Sequence, residues 1–224
     1  RAVAPNVSPY NTVRARCRTW EDRLERVLAE TQTDRVSIIA HSMGGLDARY
    51  LISQRGWHDV VDVLVTVATP HRGSPVAALI LQQPEAVRNW LTDMADWLGT
   101  HILEDGSANI RQALHELTPE HLESTFNEEV ADHPDVEYWS YGCQAGEGTD
   151  IPIDPIFRYF NSYLFEREGV NDGMVSVRSA RWGEYLGTVD ADHARQVGIK
   201  STLAAPFDSN AFYASIAQRL AEHG

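Results

Sequence analysis

Apolar positions recur at two different spacings in the first third of the chain, and the change of spacing predicts the order of its elements. Between Thr12 and Thr31 they fall every three or four residues, which is typical of an amphipathic helix. Val36 to Ala40 is instead a short, nearly continuous apolar run rich in β-branched residues, which favours a strand buried on both faces of a parallel sheet. Helical spacing resumes after Gly45, and a second strand is predicted from Val60 to Thr69.

The same alternation returns nearer the C terminus, after a long stretch without strand character. From about 76 to 130 the apolar positions keep helical spacings, so we interpret this stretch as a helical cap or lid insertion. Strands are predicted at Val136–Gly142 and near Tyr185–Val189, and a last helix follows. This order predicts a mostly parallel sheet with helices on both faces. No stretch divides the chain into similar halves, so residues 1–224 are expected to form one domain.

One serine lies at the junction between the first predicted strand and the helix that follows it. In the stretch AHSMGG, Ser42 has Ala40 two positions before it and Gly44 two positions after it. A strand that turns at once into a helix strains the residue at the turn and points its side chain out of the sheet, so small neighbours are needed. The turn also leaves Met43 N–H at a helix N-terminus, where it can donate to a developing oxyanion. Ser42 is therefore a candidate nucleophile, and simple capping of the helix is the alternative.

A serine hydroxyl needs a base to accept its proton and an acid to orient that base. Nine histidines compete for the role of base. We favour His193, because it lies after the last predicted strand and before the last helix, where the chain order serine, acid, histidine places the base. His71 also follows a strand and is the alternative, whereas His41, next to Ser42, is expected to point away from the turn.

The acid is expected in a loop between Ser42 and His193. We favour Asp172, in the stretch GVNDGMVSV, although Asn-Asp-Gly is also the sequence of an ordinary turn. Asp154, in a proline-containing loop, is the alternative. Asp192 directly precedes His193, which places it awkwardly for reaching Nδ1 of that ring.

Four stretches together carry a family resemblance: AHSMGGLDARY, VATPHRGSP, GVNDGMVSV and DADH. They resemble the α/β-hydrolase lipases, in particular the bacterial and fungal triacylglycerol lipase-like branch. The resemblance implies an α/β-hydrolase fold with Ser42, Asp172 and His193 as nucleophile, acid and base. It also implies a carboxylic ester hydrolase that acts on a lipid-like or other small acyl ester. The tryptophan-bearing stretch 77–103 fits a lid that contacts a lipid interface transiently, with a helix packed into the core as the equal alternative.

The chain departs from that family at two places. Related secreted lipases bind a structural calcium through an acidic residue two positions beyond the catalytic histidine, and this chain has Arg195 there. We therefore predict no metal site, and no cofactor. The family also carries a His-Gly loop near its N terminus, which supplies the second oxyanion donor, and nothing before Ser42 matches it. The N-terminal strands of the fold are accordingly expected to be missing from this chain, and with them half of the oxyanion hole.

Composition narrows the choice of partner and compartment. The formal net charge of −13 would repel phosphate backbones, so nucleic acid is not expected as a partner. Cys17 and Cys143 are too few for a disulfide framework, but they could form one bridge if the fold brings them together. No apolar run is long enough to span a membrane and no signal region opens the chain, which favours a soluble protein. Because the chain begins at Arg1 and not at Met, the compartment stays open.

Two other functions are compatible with these residues. An acyltransferase would use the same three residues and pass the acyl group to an alcohol instead of water. A catalytically inactive module that binds lipid or another protein is suggested by the unmatched N-terminal strand. The sequence indicates neither the natural substrate nor the oligomeric state.

Overall fold

A parallel β-sheet forms the centre of the molecule. The computed structural model describes residues 2–3, 11–82, 107–199 and 207–223. Four strands follow one another in space as they do in sequence, and every neighbouring pair is parallel. The strands are β1 (Val36–His41), β2 (Val61–Val67), β3 (Glu137–Cys143) and β4 (Glu184–Val189). The carboxyl ends of all four strands therefore lie at one edge of the sheet, and the mostly parallel sheet predicted from the sequence is confirmed.

Helices connect the strands and cover the sheet. In chain order they are α1 (Val13–Thr31), α2 (Gly44–Gln54), α3 (Pro75–Leu81), α4 (Ser107–Glu116), α5 (Pro119–His121), α6 (Asn127–Glu129), α7 (Arg158–Glu168), α8 (Val177–Ala180) and α9 (Ser209–His223). A π-helical turn at Leu122–Phe126 joins α5 to α6. Shorter 3₁₀ turns lie at Trp57–Asp59, Pro155–Phe157 and Arg195–Val197. Among the described helices, none has both the length and the apolar character that a bilayer crossing requires.

The two faces of the sheet pack against different helices, because successive side chains of a strand point to opposite sides. On one face, Leu64 of β2 belongs to a buried cluster with residues of α1 and α2. On the other face, Val65 belongs to a cluster with Ile216 of α9. Cys17 lies in the first cluster and Cys143 in the second, and both thiols are free and buried. The bridge that the sequence left open is therefore not formed.

The stretch interpreted as a cap is helical where the structure describes it. Helices α3 and α4 each contribute to a buried cluster that also contains Leu164 of α7, so these parts pack onto the domain. Residues 83–106, which include Trp90 and Trp97, lie outside the described residues. The cap, the lid and the domain bounds stay predictions.

The N-terminal part of the chain leaves one prediction open. Residues 4–10 are outside the described ranges. Among the described strands, β1 has a neighbour on one side only, which is β2. The expected absence of N-terminal strands stays a prediction.

The close approach of α2 to the sheet depends on a glycine that the sequence analysis did not single out. A Cβ atom at Gly45 would lie 2.7 Å from Thr69 Cγ2 and 2.9 Å from Thr66 Cγ2, which is closer than carbon atoms approach each other without a bond. A Cβ atom at Gly44 would meet only Ala40 Cβ, at an ordinary 3.9 Å. Small residues at positions 40 and 44 do face each other as expected, but the tightest packing lies one residue further on.

We expect Gly45→Ala to lower the free energy of unfolding by about 1–3 kcal/mol, because the added methyl overpacks a buried contact. Gly44→Ala is the matched control and should be neutral or slightly stabilising, since it adds ordinary contact and removes a glycine from a helix. Urea unfolding of both variants measures the difference. Equal stabilities of the two variants would show that the packing at Gly45 is not limiting.

Candidate active site

Ser42 occupies a strained turn that the neighbouring strand holds in place. Its φ angle is 54°, in the left-handed region that a non-glycine residue seldom adopts. Ser42 N–H donates to Val67 O at 2.9 Å, and Ser42 O accepts from Thr69 Oγ1 at 2.7 Å. Both partners lie on β2 or directly after it, so the pairing of β1 with β2 maintains the strain.

The alternative that Ser42 merely caps a helix does not describe its side chain. The N-cap of α2 is Met43, and no side chain caps that helix end. The Ser42 hydroxyl instead lies 2.9 Å from His193 Nε2. Within the described residues nothing accepts a hydrogen bond from Met43 N–H, which leaves this donor available beside the serine.

The three residues favoured from the sequence come together in one hydrogen-bonded series. The Ser42 hydroxyl donates to His193 Nε2 at 2.9 Å, and His193 Nδ1–H donates to Asp172 Oδ2 at 2.8 Å. The Asp172 side chain is fully buried and that of His193 is nearly so. A backbone bond from His193 N–H to Asp172 O, at 3.0 Å, ties the two loops together as well. This arrangement can move a proton from a hydroxyl to an imidazole that a carboxylate orients.

Asp172 is both a turn residue and the partner of the imidazole, so the two interpretations of Asn-Asp-Gly hold together. Its Oδ1 accepts from Met174 N–H at 2.9 Å and from Val175 N–H at 2.8 Å, which closes the turn. Its Oδ2 faces His193. Helix α7 holds this turn in place, because Asn161 Nδ2–H donates to Asn171 Oδ1 at 2.8 Å.

The charge of His193 and the hydrogen bonds around the carboxyl decide the charge of Asp172. Burial acts to raise the pKa of this carboxyl, but the positive charge available on His193 and the bonds from His193, Gln196 and Val175 N–H outweigh burial, and the net direction of the pKa is downward. The Asp172 side chain is therefore an ionised carboxylate at neutral pH, and its two oxygens accept every hydrogen bond that the side chain makes.

Two more residues lie next to this series: Gln196, which the sequence analysis missed, and His41, which it expected to point away from the turn. Gln196 Nε2–H donates to Asp172 Oδ2 at 2.7 Å, and Gln196 Oε1 lies 2.8 Å from His41 Nε2. The His41 ring packs against that of His193 with centroids 4.8 Å apart, so it lies beside the site and contacts the base, not the serine hydroxyl. No local sequence pattern singled out Gln196, because its partners Asp172 and His41 are 24 and 155 positions away along the chain.

The other two aspartates considered as the acid bond to groups other than His193. Asp154 Oδ1 accepts from Ile156 N–H at 3.1 Å and caps the short helical turn at Pro155–Phe157. Asp192 Oδ2 accepts from Arg195 Nε–H at 3.0 Å and from Asp154 N–H at 3.1 Å. Neither carboxylate bonds to His193 in the structure, whereas Asp172 does.

Arg195 makes a buried cross-link on the turn that carries His193. Besides its ion pair with Asp192, its Nη2–H donates to Pro152 O at 2.7 Å, in the loop that follows β3. Position 195, at which the family resemblance leads one to look for an acidic calcium ligand, thus holds a buried guanidinium. In the part of the chain that the structure describes, no three His, Cys, Asp or Glu side chains converge as a metal site requires.

His71, the alternative base, lies away from Ser42 in a buried cluster of its own. Its Nε2 is 3.0 Å from Thr66 Oγ1, and its ring stacks on Trp182 with centroids 5.1 Å apart. Arg49 Nη1 lies 3.5 Å from His71 Nδ1. Burial and the Arg49 charge lower the pKa of His71 well below its usual range, so the ring is neutral and structural.

The chain is similar to a known domain family and to a curated yeast lipase. The family described as the PGAP1-like alpha/beta domain matches residues 22–96. Triacylglycerol lipase 2 of Saccharomyces cerevisiae is 28% identical over 216 residues, which cover 90% of this chain and 59% of the yeast protein. The chain thus spans less than two thirds of the length of that relative.

Solved structures extend the similarity to the whole sheet. A metagenomic carboxyl esterase superimposes with a TM-score of 0.75 at 18% identity, over 98% of this chain and 65% of the esterase. The mature lipase of Bacillus licheniformis superimposes with a TM-score of 0.62 at 22% identity, over 83% of this chain and 69% of the lipase. The chain has the α/β-hydrolase fold. Within that fold class the proteins it is similar to are lipases and esterases, which agrees with the resemblance that the sequence motifs carry.

We expect Arg195→Met to lower the free energy of unfolding by about 3–5 kcal/mol, because it leaves the buried Asp192 carboxylate without its counter-charge. The double variant Arg195→Met with Asp192→Asn removes that charge and should recover part of the loss. Arg35→Met, at the exposed Arg35–Asp62 pair, is the surface control and should change stability by less than about 1 kcal/mol. Urea unfolding measures all three, and a double variant no more stable than Arg195→Met would contradict the buried-charge explanation.

Proposed function

We propose that the chain is a serine carboxylic ester hydrolase of the lipase or esterase type, working through an acyl-serine intermediate. The observation that carries the proposal is the uninterrupted hydrogen-bonded series from Asp172 through His193 to Ser42 at the carboxyl edge of the sheet. Ligands of α/β folds bind at this edge, where loops from several strands meet.

In the acylation step, Ser42 Oγ attacks the carbonyl carbon of the ester while His193 Nε2 accepts the hydroxyl proton. Because Asp172 can only accept, it holds the ring proton on Nδ1 and leaves the Nε2 lone pair facing the hydroxyl. The carboxylate then stabilises the imidazolium that forms. Met43 N–H, at the start of α2, donates to the negatively charged oxygen of the tetrahedral intermediate.

Collapse of that intermediate breaks the bond to the alcohol oxygen, and the imidazolium of His193 returns a proton to the leaving alkoxide. Water then attacks the acyl-serine, with His193 again as the base. The carboxylic acid leaves, and the hydroxyl of Ser42 is restored. These steps call on no metal ion and no cofactor.

The relatives guide the proposed substrate class. The yeast relative is named for triacylglycerols and the metagenomic neighbour for carboxyl esters, which supports an acyl ester, lipid-like or otherwise apolar, as the substrate.

A series of p-nitrophenyl esters from acetate to palmitate separates a lipase from an esterase. Hydrolysis that persists with long acyl chains supports a lipase, and hydrolysis confined to short chains supports an esterase. Product analysis with a competing alcohol measures any acyl transfer at the same time.

We expect Ser42→Ala to reduce ester hydrolysis to the background rate with the fold intact, because the variant lacks the nucleophile.

Asp172→Asn should lower turnover by about 10² to 10⁴, through the wrong imidazole tautomer and the lost stabilisation of the imidazolium. Asp154→Asn is the matched control and should keep nearly full turnover, since in the described part of the chain its carboxyl accepts from Ile156 N–H and not from His193. The proposed acid would be wrong if Asp172→Asn stayed fully active while Asp154→Asn was inactive.

A further inference from the structure

Two polar side chains lie behind the triad, and none of the steps above uses them. Gln196 is fully buried, and its Nε2–H donates to the same Asp172 oxygen that bonds His193 Nδ1, at 2.7 Å and 2.8 Å respectively. On its other side, Gln196 Oε1 lies 2.8 Å from His41 Nε2. Since the His41 ring packs against the His193 ring, the series leads back to the base.

The charge of Asp172 fixes the direction of every bond in this series. An ionised carboxylate only accepts, so Gln196 must present its amide nitrogen to Asp172 and its oxygen to His41. His41 must then carry its proton on Nε2 in order to donate. A neutral ring fits this role, and burial lowers the pKa of His41 to about 3.

The same bonds leave the carboxylate without rotational freedom. Asp172 Oδ1 accepts from the Met174 and Val175 N–H groups, and Oδ2 accepts from His193 and Gln196. A carboxylate has about four acceptor positions, so all of them are in use. Any rotation of the group would leave buried donors unpaired, which is unfavourable.

We propose that Gln196 and His41 are a positioning pair for the acid of the triad: Gln196 holds the Asp172 carboxylate toward His193, and His41 holds the Gln196 amide. The inference rests on the proposed hydrolase function. Gln196 is fully buried and bonded to the acid, so it acts through Asp172 and not on the substrate. Its effect is therefore expected in kcat and not in KM.

Gln196→Met keeps an unbranched side chain of similar length and removes both hydrogen bonds. Because hydrogen bonds to charged groups contribute about 1.5–3 kcal/mol, kcat should fall by about 10-fold to 100-fold, with KM within about twofold of the parent. The burst amplitude with a p-nitrophenyl ester counts competent sites, so the comparison does not depend on the fraction of folded protein.

Gln196→Glu gives a readout that a merely structural role would not move. A protonated Glu at this position can still donate to Asp172, so the activity of the variant relative to that of the parent should be highest at the acidic end of the pH range. As the pH rises and this carboxyl ionises, two carboxylates face each other and activity should fall, which adds to the pH profile a basic limb that the parent enzyme lacks.

His41→Phe keeps a ring beside His193 but leaves the Gln196 oxygen unpaired. The loss of kcat that it causes should not add to the loss caused by Gln196→Met when both changes are combined in the double variant.

Proton NMR tests the same inference without a substrate. The His193 Nδ1 proton, bonded to a carboxylate, should give a far-downfield resonance in the parent that moves upfield or broadens in Gln196→Met. An unmoved resonance, with kcat within twofold of the parent and a pH profile of Gln196→Glu that matches the parent, would overturn the positioning pair. That result leaves the hydrolase proposal intact, because the hydrolase proposal fails separately if Ser42→Ala retains activity.

Discussion

A carboxylate without exposed surface needs donors in place of water, and Asp172 is the buried charge around which the site is organised. Two donors, Met174 and Val175 N–H, come from its own turn. The other two, His193 and Gln196, come from the segment that follows β4. Satisfying this one charge brings two separate loops together, and it sets both the tautomer and the orientation of the imidazole that faces Ser42.

The parallel sheet makes that meeting possible. Ser42 directly follows β1, Asp172 lies in the connection after β3, and His193 follows β4, so all three start from the same edge of the sheet. The strain at Ser42 is maintained by bonds to Val67 and Thr69 of the neighbouring strand and its loop. The turn that points the hydroxyl outward is thus a property of the paired strands, and the close packing at Gly45 belongs to the same contact.

Features that depend on local pattern were predictable from the sequence, and features that depend on contacts between distant segments were not. Strand and helix order follows from apolar spacing, and the order serine, aspartate, histidine matches the geometry found. Gly45 must be a glycine because Thr66 of β2 and Thr69 of the loop after it leave no room for a Cβ atom, whereas the motif alone predicted the close contact one residue earlier, at Gly44. His41 and Gln196 are 155 positions apart, and no local pattern announces their contact. Trp90 and Trp97 of the expected lid lie outside the described residues, so the lid stays a prediction.

The central claim is that the His193–Asp172 pair activates Ser42, and reaction with a fluorophosphonate tests this most directly. Intact-protein mass spectrometry of the whole chain should show one adduct per molecule, and peptide mapping should place it on Ser42. Because labelling needs the base, His193→Gln should react slower by at least about 10², with its fold intact. A folded parent protein whose Ser42 stays unlabelled, or a His193→Gln variant that labels at the parent rate, would contradict the account and favour a module that binds without catalysis.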